Sequence, residues 1–301
     1  MTFSSGIPHF IIISAEFITG ITVNGFLIII NCNDLSQSRK LAPVQLLLTC
    51  IGMSRFGLQV VLMVQDLFTV FLPLYYQDTF YDAVIVLLWV FFSSTSLWFA
   101  TCLSVFYCLK ISGFTQSYFL WLKFRISKFM PWLLLGSLLA SVSTAAVSIT
   151  VDYPKTEKYY VLRNATLRTT TFKIQPINEV LFVNLALIFP LAIFVMCTFM
   201  LLVSLYKHTH RMQNGRGLRN ASTEVHLNAL RTVVTFLVLF VLYFAAFMVN
   251  ASFTIPYKSQ CYFVIKDIMG VYPSGHSVII ILSNSKLQQS FRRLLCLQKN
   301  Q

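Results

Sequence analysis

The chain has 301 residues, 56% of them hydrophobic and only 11% charged, where a soluble domain carries about 25% charged residues. Mean hydropathy is +0.71. Long uncharged runs alternate with short basic stretches, the pattern of an all-α membrane protein with several spans. The net charge of +13 is spread over those stretches, so it argues for a membrane surface and not for nucleic acid.

The first span is expected from about Pro8 to Ile30. It is long enough to cross a bilayer and should insert uncleaved. Glu16, Gly20 and Asn24 recur every four residues, so they share a face that should turn toward the bundle. Span 2 covers about 44–72. Arg55 lies about 17 Å of helix from its start, where a charge costs about 2.5–3.5 kcal/mol. It needs polar partners, and Asn24 is the first candidate. Gln59, Gln65 and Asp66 follow on the same span.

Span 3 is the centre of the pattern. The 27 residues Ala83–Leu109 hold no charge, which is about 40 Å of helix. Trp89, Ser93, Ser96, Ala100, Ser104 and Tyr107 fall on one small, polar face. Such a stripe lets neighbouring helices approach and bond across, whereas a lipid-facing helix has no use for it. The segment 119–126, with Trp121, Lys123 and Arg125, is basic and aromatic and suits a headgroup surface.

Span 4 is expected at about 129–151. The longest non-membrane segment follows, 152–179. Span 5 covers about 180–205, with a kink expected at Pro190. The loop after it is basic and holds His208 and His210. Span 6 covers about 230–254 and span 7 about 261–282, the latter with Lys266, Asp267, Pro273 and His276. The tail 284–301 places Leu287, Phe291, Leu294 and Leu295 on one side, an amphipathic helix along the membrane. Cys296 is a candidate palmitoylation site.

Seven spans put the termini on opposite sides. Fifteen Lys and Arg fall in the odd-numbered loops and the tail, and six on the other side. The positive-inside rule therefore places the C-terminus in the cytosol and the N-terminus outside. Three triplets match the glycosylation pattern, at Asn164, Asn220 and Asn250. Only Asn164 lies in a long outer loop. Of the seven cysteines, only Cys261 lies near the outer surface, so no outer disulfide is expected.

Enzyme signatures are missing: there is no glycine-rich phosphate loop and no His-Glu-x-x-His. A transporter or channel is the stronger rival, but no two-fold internal repeat is visible, and Arg55 and Lys266 stand at different depths.

In order along the chain, Glu16-x3-Gly20-x3-Asn24, Arg39-Lys40-Leu41-Ala42-Pro43, Ser54-Arg55, Leu97-Trp98 running to Phe106-Tyr107-x-x-Lys110, Lys207-His208, His226-Leu-Asn-Ala-Leu-Arg231, Tyr272-Pro273-Ser-Gly-His276-Ser277 and Asn284-Ser-Lys286 together resemble the bitter taste receptor family, over nearly the whole chain. The family often has Asp where Gln45 stands, Asn where Ser93 stands and a basic residue where Gln288 stands.

The resemblance implies a seven-transmembrane bundle of the G-protein-coupled receptor type in the plasma membrane, binding bitter small molecules and needing no cofactor or metal. It implies coupling to a heterotrimeric G protein of the gustducin (Gi) type, then phospholipase C and calcium release. The ligand site it implies lies in the outer half, at Trp89, Ser93, Tyr243, Lys266 and Met269. Lys266 either points inward and favours acidic ligands, or snorkels outward or pairs with Asp267. Tyr243 is either a pocket residue or a packing residue. At the inner end Tyr107, Lys110, His208 and His226 are the candidates for setting the activation equilibrium and meeting the G protein. For the histidines, the other reading is that they are ordinary polar residues. Asn24, Arg55 and His276 are the intramembrane structural candidates.

Overall fold

A computed structural model of the chain describes residues 3–38, 42–71, 79–111, 117–152, 156–163, 166–173, 177–215, 221–251 and 259–297. In hydrocarbon every backbone polar group must be satisfied within its own segment, so apolar runs of this length become helices. The helices are α1 (Phe3–Ser38), α2 (Pro43–Phe71), α3 (Thr79–Ile111), α4 (Ser117–Asp152), α5 (Ile177–Gly215), α6 (Ala221–Ala251), α7 (Gln260–Ser283) and α8 (Ser285–Leu297). Among the described residues, five helices are long and apolar enough to cross a membrane, within α1 to α5. In α6 the apolar stretch described is the shorter Val233–Val249. In α7 the charges of Lys266 and Asp267 interrupt the run.

The helices outrun the expected spans at most ends. The basic and aromatic segment 119–126 forms the first turns of α4, where Arg125 lies over the Trp121 ring at 4.9 Å. The α5 helix runs unbroken through Pro190. Between α4 and α5 the expected loop contains an antiparallel hairpin, β1 (Thr156–Arg163) with β2 (Thr166–Lys173), paired from Thr156↔Lys173 to Arg163↔Thr166. Asn164 lies outside the described residues.

Starts and stops follow from the sequence. Pro43 opens α2, a position where its missing N–H costs nothing. Gln45 reaches back so that its Oε1 accepts from Ala42 N at 3.0 Å, while its Nε2 donates to Asp34 of α1 at 2.8 Å. Ser259 caps α7 by accepting from Tyr262 N at 3.2 Å. Asn284 ends α7 and begins α8: its N–H donates to Ile281 O, and its Oδ1 accepts from Leu287 N, both at 3.3 Å.

The helices form a ring in which α1 packs on α2 and α7, α5 on α6, and α6 on α7, while α3 packs against α2, α4 and α5. Polarity is inverted relative to a soluble protein. On α4 the buried stripe is Met130, Leu134, Ser137, Ser141, Thr144 and Ser148, whereas Trp132, Leu135, Leu139 and Val142 are exposed. Serines let α3 and α4 approach closely; Cys102 Sγ lies 3.5 Å from Ser137 Oγ. Across the other side of α3, Ser104 Oγ is 3.0 Å from Thr198 of α5, and Thr101 donates to the Pro190 carbonyl at 3.1 Å. In α8, Leu287 and Phe291 turn onto the bundle against Val23, Phe26, Leu27 and Ile281.

Candidate functional site

On α3 the four-residue spacing that aligned Trp89 and Ser93 in sequence also brings Leu97 onto the same buried face. On α6, Tyr243 and Phe247 stand one turn apart, and on α7 Lys266, Met269 and Tyr272 do the same. These three stripes converge. Trp89 stacks on Phe247 with ring centroids 5.2 Å apart and planes at 23°. Tyr243 stacks on Tyr272 at 4.7 Å. Met269, 1% exposed, belongs to the same cluster with Leu97, Phe194, Phe240 and Phe247. The cluster is therefore aromatic and apolar, built of large flat faces of the kind that stack on planar or cationic groups.

Three polar groups interrupt that cluster. Lys266 is buried, and its ammonium lies 5.8 Å from the Trp89 ring and 5.9 Å from the Tyr262 ring. It donates to Gln65 Oε1 of α2 at 2.9 Å. Asp267 instead takes the His9 imidazole, so the sequence alternative of a Lys266–Asp267 pair gives way to two separate partnerships. The other two groups are the hydroxyls of Ser93 and Tyr243. They face each other across α3 and α6, both are buried, and neither has a geometrically satisfied hydrogen bond. An unpaired buried hydroxyl costs about 1–3 kcal/mol, so a bound hydrogen-bonding group would recover part of that cost.

Beneath this site lies a polar hub. Arg55 is fully buried. Its guanidinium donates to Ser96 of α3 at 3.3 Å and, on α7, to Ser277 at 3.2 Å and Tyr272 at 3.3 Å. Asn24 is not its direct partner, contrary to the sequence expectation. It accepts from Ser277 at 2.6 Å and donates to Gly20 O at 2.8 Å. Arg55 thus reaches α1 through α7, because Ser277 stands between its guanidinium and the Asn24 amide oxygen. His276 is buried against Phe236, centroids 3.6 Å apart, and stacks on Tyr272 at 5.9 Å.

Tyr272 connects the two levels, with its ring in the aromatic site and its hydroxyl on Arg55. Sequence reading left Tyr272, Phe247 and Gln65 without a role in the site. The signal available was spacing: Phe247 is one turn from Tyr243, and Tyr272 is two turns from Lys266.

At the α8 end, Tyr107 is half-buried against the cluster of Leu47, Ile51, Phe106 and Met130. Lys110 is exposed, with its ammonium 5.9 Å from the Phe106 ring. The side chains of His208 and His226 lie outside the described residues. Among the described residues no group of His, Cys, Asp and Glu is arranged to hold a metal ion.

Comparison with known proteins gives a consistent relationship. The Taste receptor protein (TAS2R) family model matches residues 1–299. Human Taste receptor type 2 member 2 is 70% identical over 296 residues, covering 98% of each chain. Taste receptor type 2 member 7 of Macaca mulatta is 35% identical, over 93% of this chain and 90% of the relative. Human Taste receptor type 2 member 9 is 32% identical, over 95% and 93%. Among solved structures, squid rhodopsin superposes with a TM-score of 0.66 at 15% identity, over 98% of this chain and 85% of that one. The fold is the seven-transmembrane fold of G-protein-coupled receptors.

Proposed function

Since the chain belongs to the taste receptor family, a family of membrane receptors for small molecules and not of enzymes, we propose that it senses bitter compounds in the cluster of Trp89, Ser93, Tyr243, Lys266 and Met269. The observation that carries this reading is the stacked Trp89–Phe247 pair with a buried ammonium 5.8 Å from the Trp89 ring. Apolar walls with few polar anchors favour broad and weak recognition. Lys266 biases that recognition toward ligands with a carboxylate or a strong acceptor, and Ser93 and Tyr243 offer their hydroxyls to a second polar group.

The charge asymmetry supports a plasma-membrane orientation with the N-terminus extracellular and the C-terminus cytoplasmic. The aromatic site then opens toward the outer side, and Tyr107 and Lys110 face the cytosol with His208 and His226. There the receptor activates a gustducin-type (Gi-type) heterotrimeric G protein, and phospholipase C and calcium release follow. Asn164 carries the glycan on the outer loop, and Cys296 of α8 carries an acyl chain.

The test is calcium release in cells that express the chain with a gustducin-type chimera, challenged with a panel of bitter compounds. Trp89→Ala should abolish the responses at normal surface expression. Lys266→Ala should remove responses to acidic compounds selectively. Silence of the intact chain across a broad panel, with good surface expression, would overturn the reading.

A further inference from the structure

His9 of α1 is 2% exposed, near the N-terminal end of its helix, and has a carboxylate on each ring nitrogen. Its Nδ1 bonds Asp267 Oδ1 of α7 at 2.5 Å, and its Nε2 lies 3.6 Å from Asp66 Oδ1 of α2. The ring packs on Phe263 of α7 with centroids 4.7 Å apart. Neighbouring residues of α2 hold neighbouring residues of α7: Gln65 takes Lys266, and Asp66 and Asp267 share His9.

A neutral imidazole has one N–H and one lone pair. That lone pair would face a carboxylate oxygen, so only the imidazolium suits both neighbours. Glu16, two turns further along α1, has both carboxyl oxygens buried without a hydrogen bond. The titratable and charged groups near His9 are therefore Asp66 from α2, Asp267 and Lys266 from α7, and Glu16 from α1 itself. Lys266 alone opposes a second positive charge, and its ammonium is engaged by Gln65.

We propose that His9 is a proton-dependent clamp, which as imidazolium ties α1 to α2 and α7 and so holds Lys266 in place, and which releases α7 when it loses its proton. The clamp itself does not depend on the assigned function; its effect on ligand response rests on Lys266 reading acidic ligands, as proposed above. The sign follows from the charge. Stability is present on the acidic side, where His9 is charged, and is lost as pH rises through its titration.

The primary test is the thermal midpoint of the purified full chain in detergent, followed from about pH 6 to about pH 9.5. The intact chain should lose stability across that range. His9→Gln should start lower and lack the intact chain's pH-dependent loss, and Asp267→Asn should behave alike, serving as the measured variant if His9→Gln does not survive extraction. A variant that follows the intact chain at every pH, or an intact chain without pH dependence, overturns the clamp. In calcium assays, the half-maximal concentration of a carboxylate ligand should rise about fivefold on the alkaline side, and His9→Gln should show the weaker value throughout. If the thermal result holds while carboxylate ligands ignore both pH and His9→Gln, the clamp stands and the assignment of Lys266 fails.

Discussion

Arg55 of α2 and Ser277 of α7 meet through a 3.2 Å hydrogen bond at a buried position, and Ser277 in turn donates to Asn24 of α1 at 2.6 Å. With the bonds from Arg55 to Ser96 and Tyr272, one guanidinium links α2 to α3 and α7, and through Ser277 to α1. An arginine deep in a membrane bundle costs about 2.5–3.5 kcal/mol to insert. Here that cost is offset by hydroxyl acceptors, because α3 and α7 present serine and tyrosine at that level.

Arg55→Lys should therefore not be a conservative change. A lysine keeps the charge but lacks the planar fork that reaches three hydroxyls on two helices. The expected loss is about 1–3 kcal/mol, read as a lower thermal midpoint of the purified receptor. Ser277→Ala should lose stability as well, since it cuts the connection to Asn24. An Arg55→Lys variant as stable as the intact chain would show that charge alone suffices.

The hydroxyls of Ser93 and Tyr243 should separate function from stability. Neither has a satisfied hydrogen bond in the folded chain, so Ser93→Ala and Tyr243→Phe remove a burdened polar atom. Each should leave the thermal midpoint unchanged or raise it slightly. Each should also weaken responses to hydrogen-bonding ligands, by about tenfold if one net bond of about 1.5 kcal/mol is lost. A parallel fall in stability and response would mean that the hydroxyls serve packing within the bundle.

Much of this architecture was legible in the chain, for different reasons in different places. The polar stripe on α3 was visible because a membrane helix that buries serine must face protein. Arg55 announced that it needed partners, but not which ones, since Tyr272 and Ser277 stand more than 200 residues away and spacing along one helix does not reach across a bundle. Lys266 and Asp267 looked like a neighbouring pair. Adjacent helix positions point about 100° apart, and Gln65 and His9 each engaged one of them. The hairpin before α5 was missed, although Tyr159-Tyr160-Val161 and the threonines 166 and 169–171 carry the β-branched and aromatic character of strands. The inner histidines could be named in sequence, but spacing gave no partner for either.

At Gly270 the backbone of α7 lies close against side chains of α1. A Cβ placed there would run into the Glu16 carboxylate, with Ile13 at 3.2 Å on the same side. Gly270→Ala should push α1 away from α7 and cost about 1–3 kcal/mol, as overpacking does in a filled core. The measurements are surface expression and thermal midpoint. The double variant Gly270→Ala with Glu16→Ala should recover much of the loss, because the second change removes the colliding group. No recovery would place the strain elsewhere in the α1–α7 contact.

Tyr107 sits at the end of α3 opposite Trp89, half-buried beside Phe106 and against the cluster that holds α2, α3 and α4 together. Phe106-Tyr107-x-x-Lys110 occupies the C-terminal end of α3, and no carboxylate lies next to it in sequence from which an ion-pair lock could be built. A tyrosine there can change partners through one hydroxyl while its ring stays packed. Tyr107→Phe should keep the packing and remove that option, so it should shift the balance between inactive and active forms. Ligand affinity measured without G protein should stay within about twofold, whereas ligand-driven nucleotide exchange on the G protein should fall several-fold, since only a group that interacts differently with the two states moves their equilibrium. Equal loss of affinity and exchange would instead make Tyr107 a structural support of α3, because damage to the helix would reach the aromatic site as well.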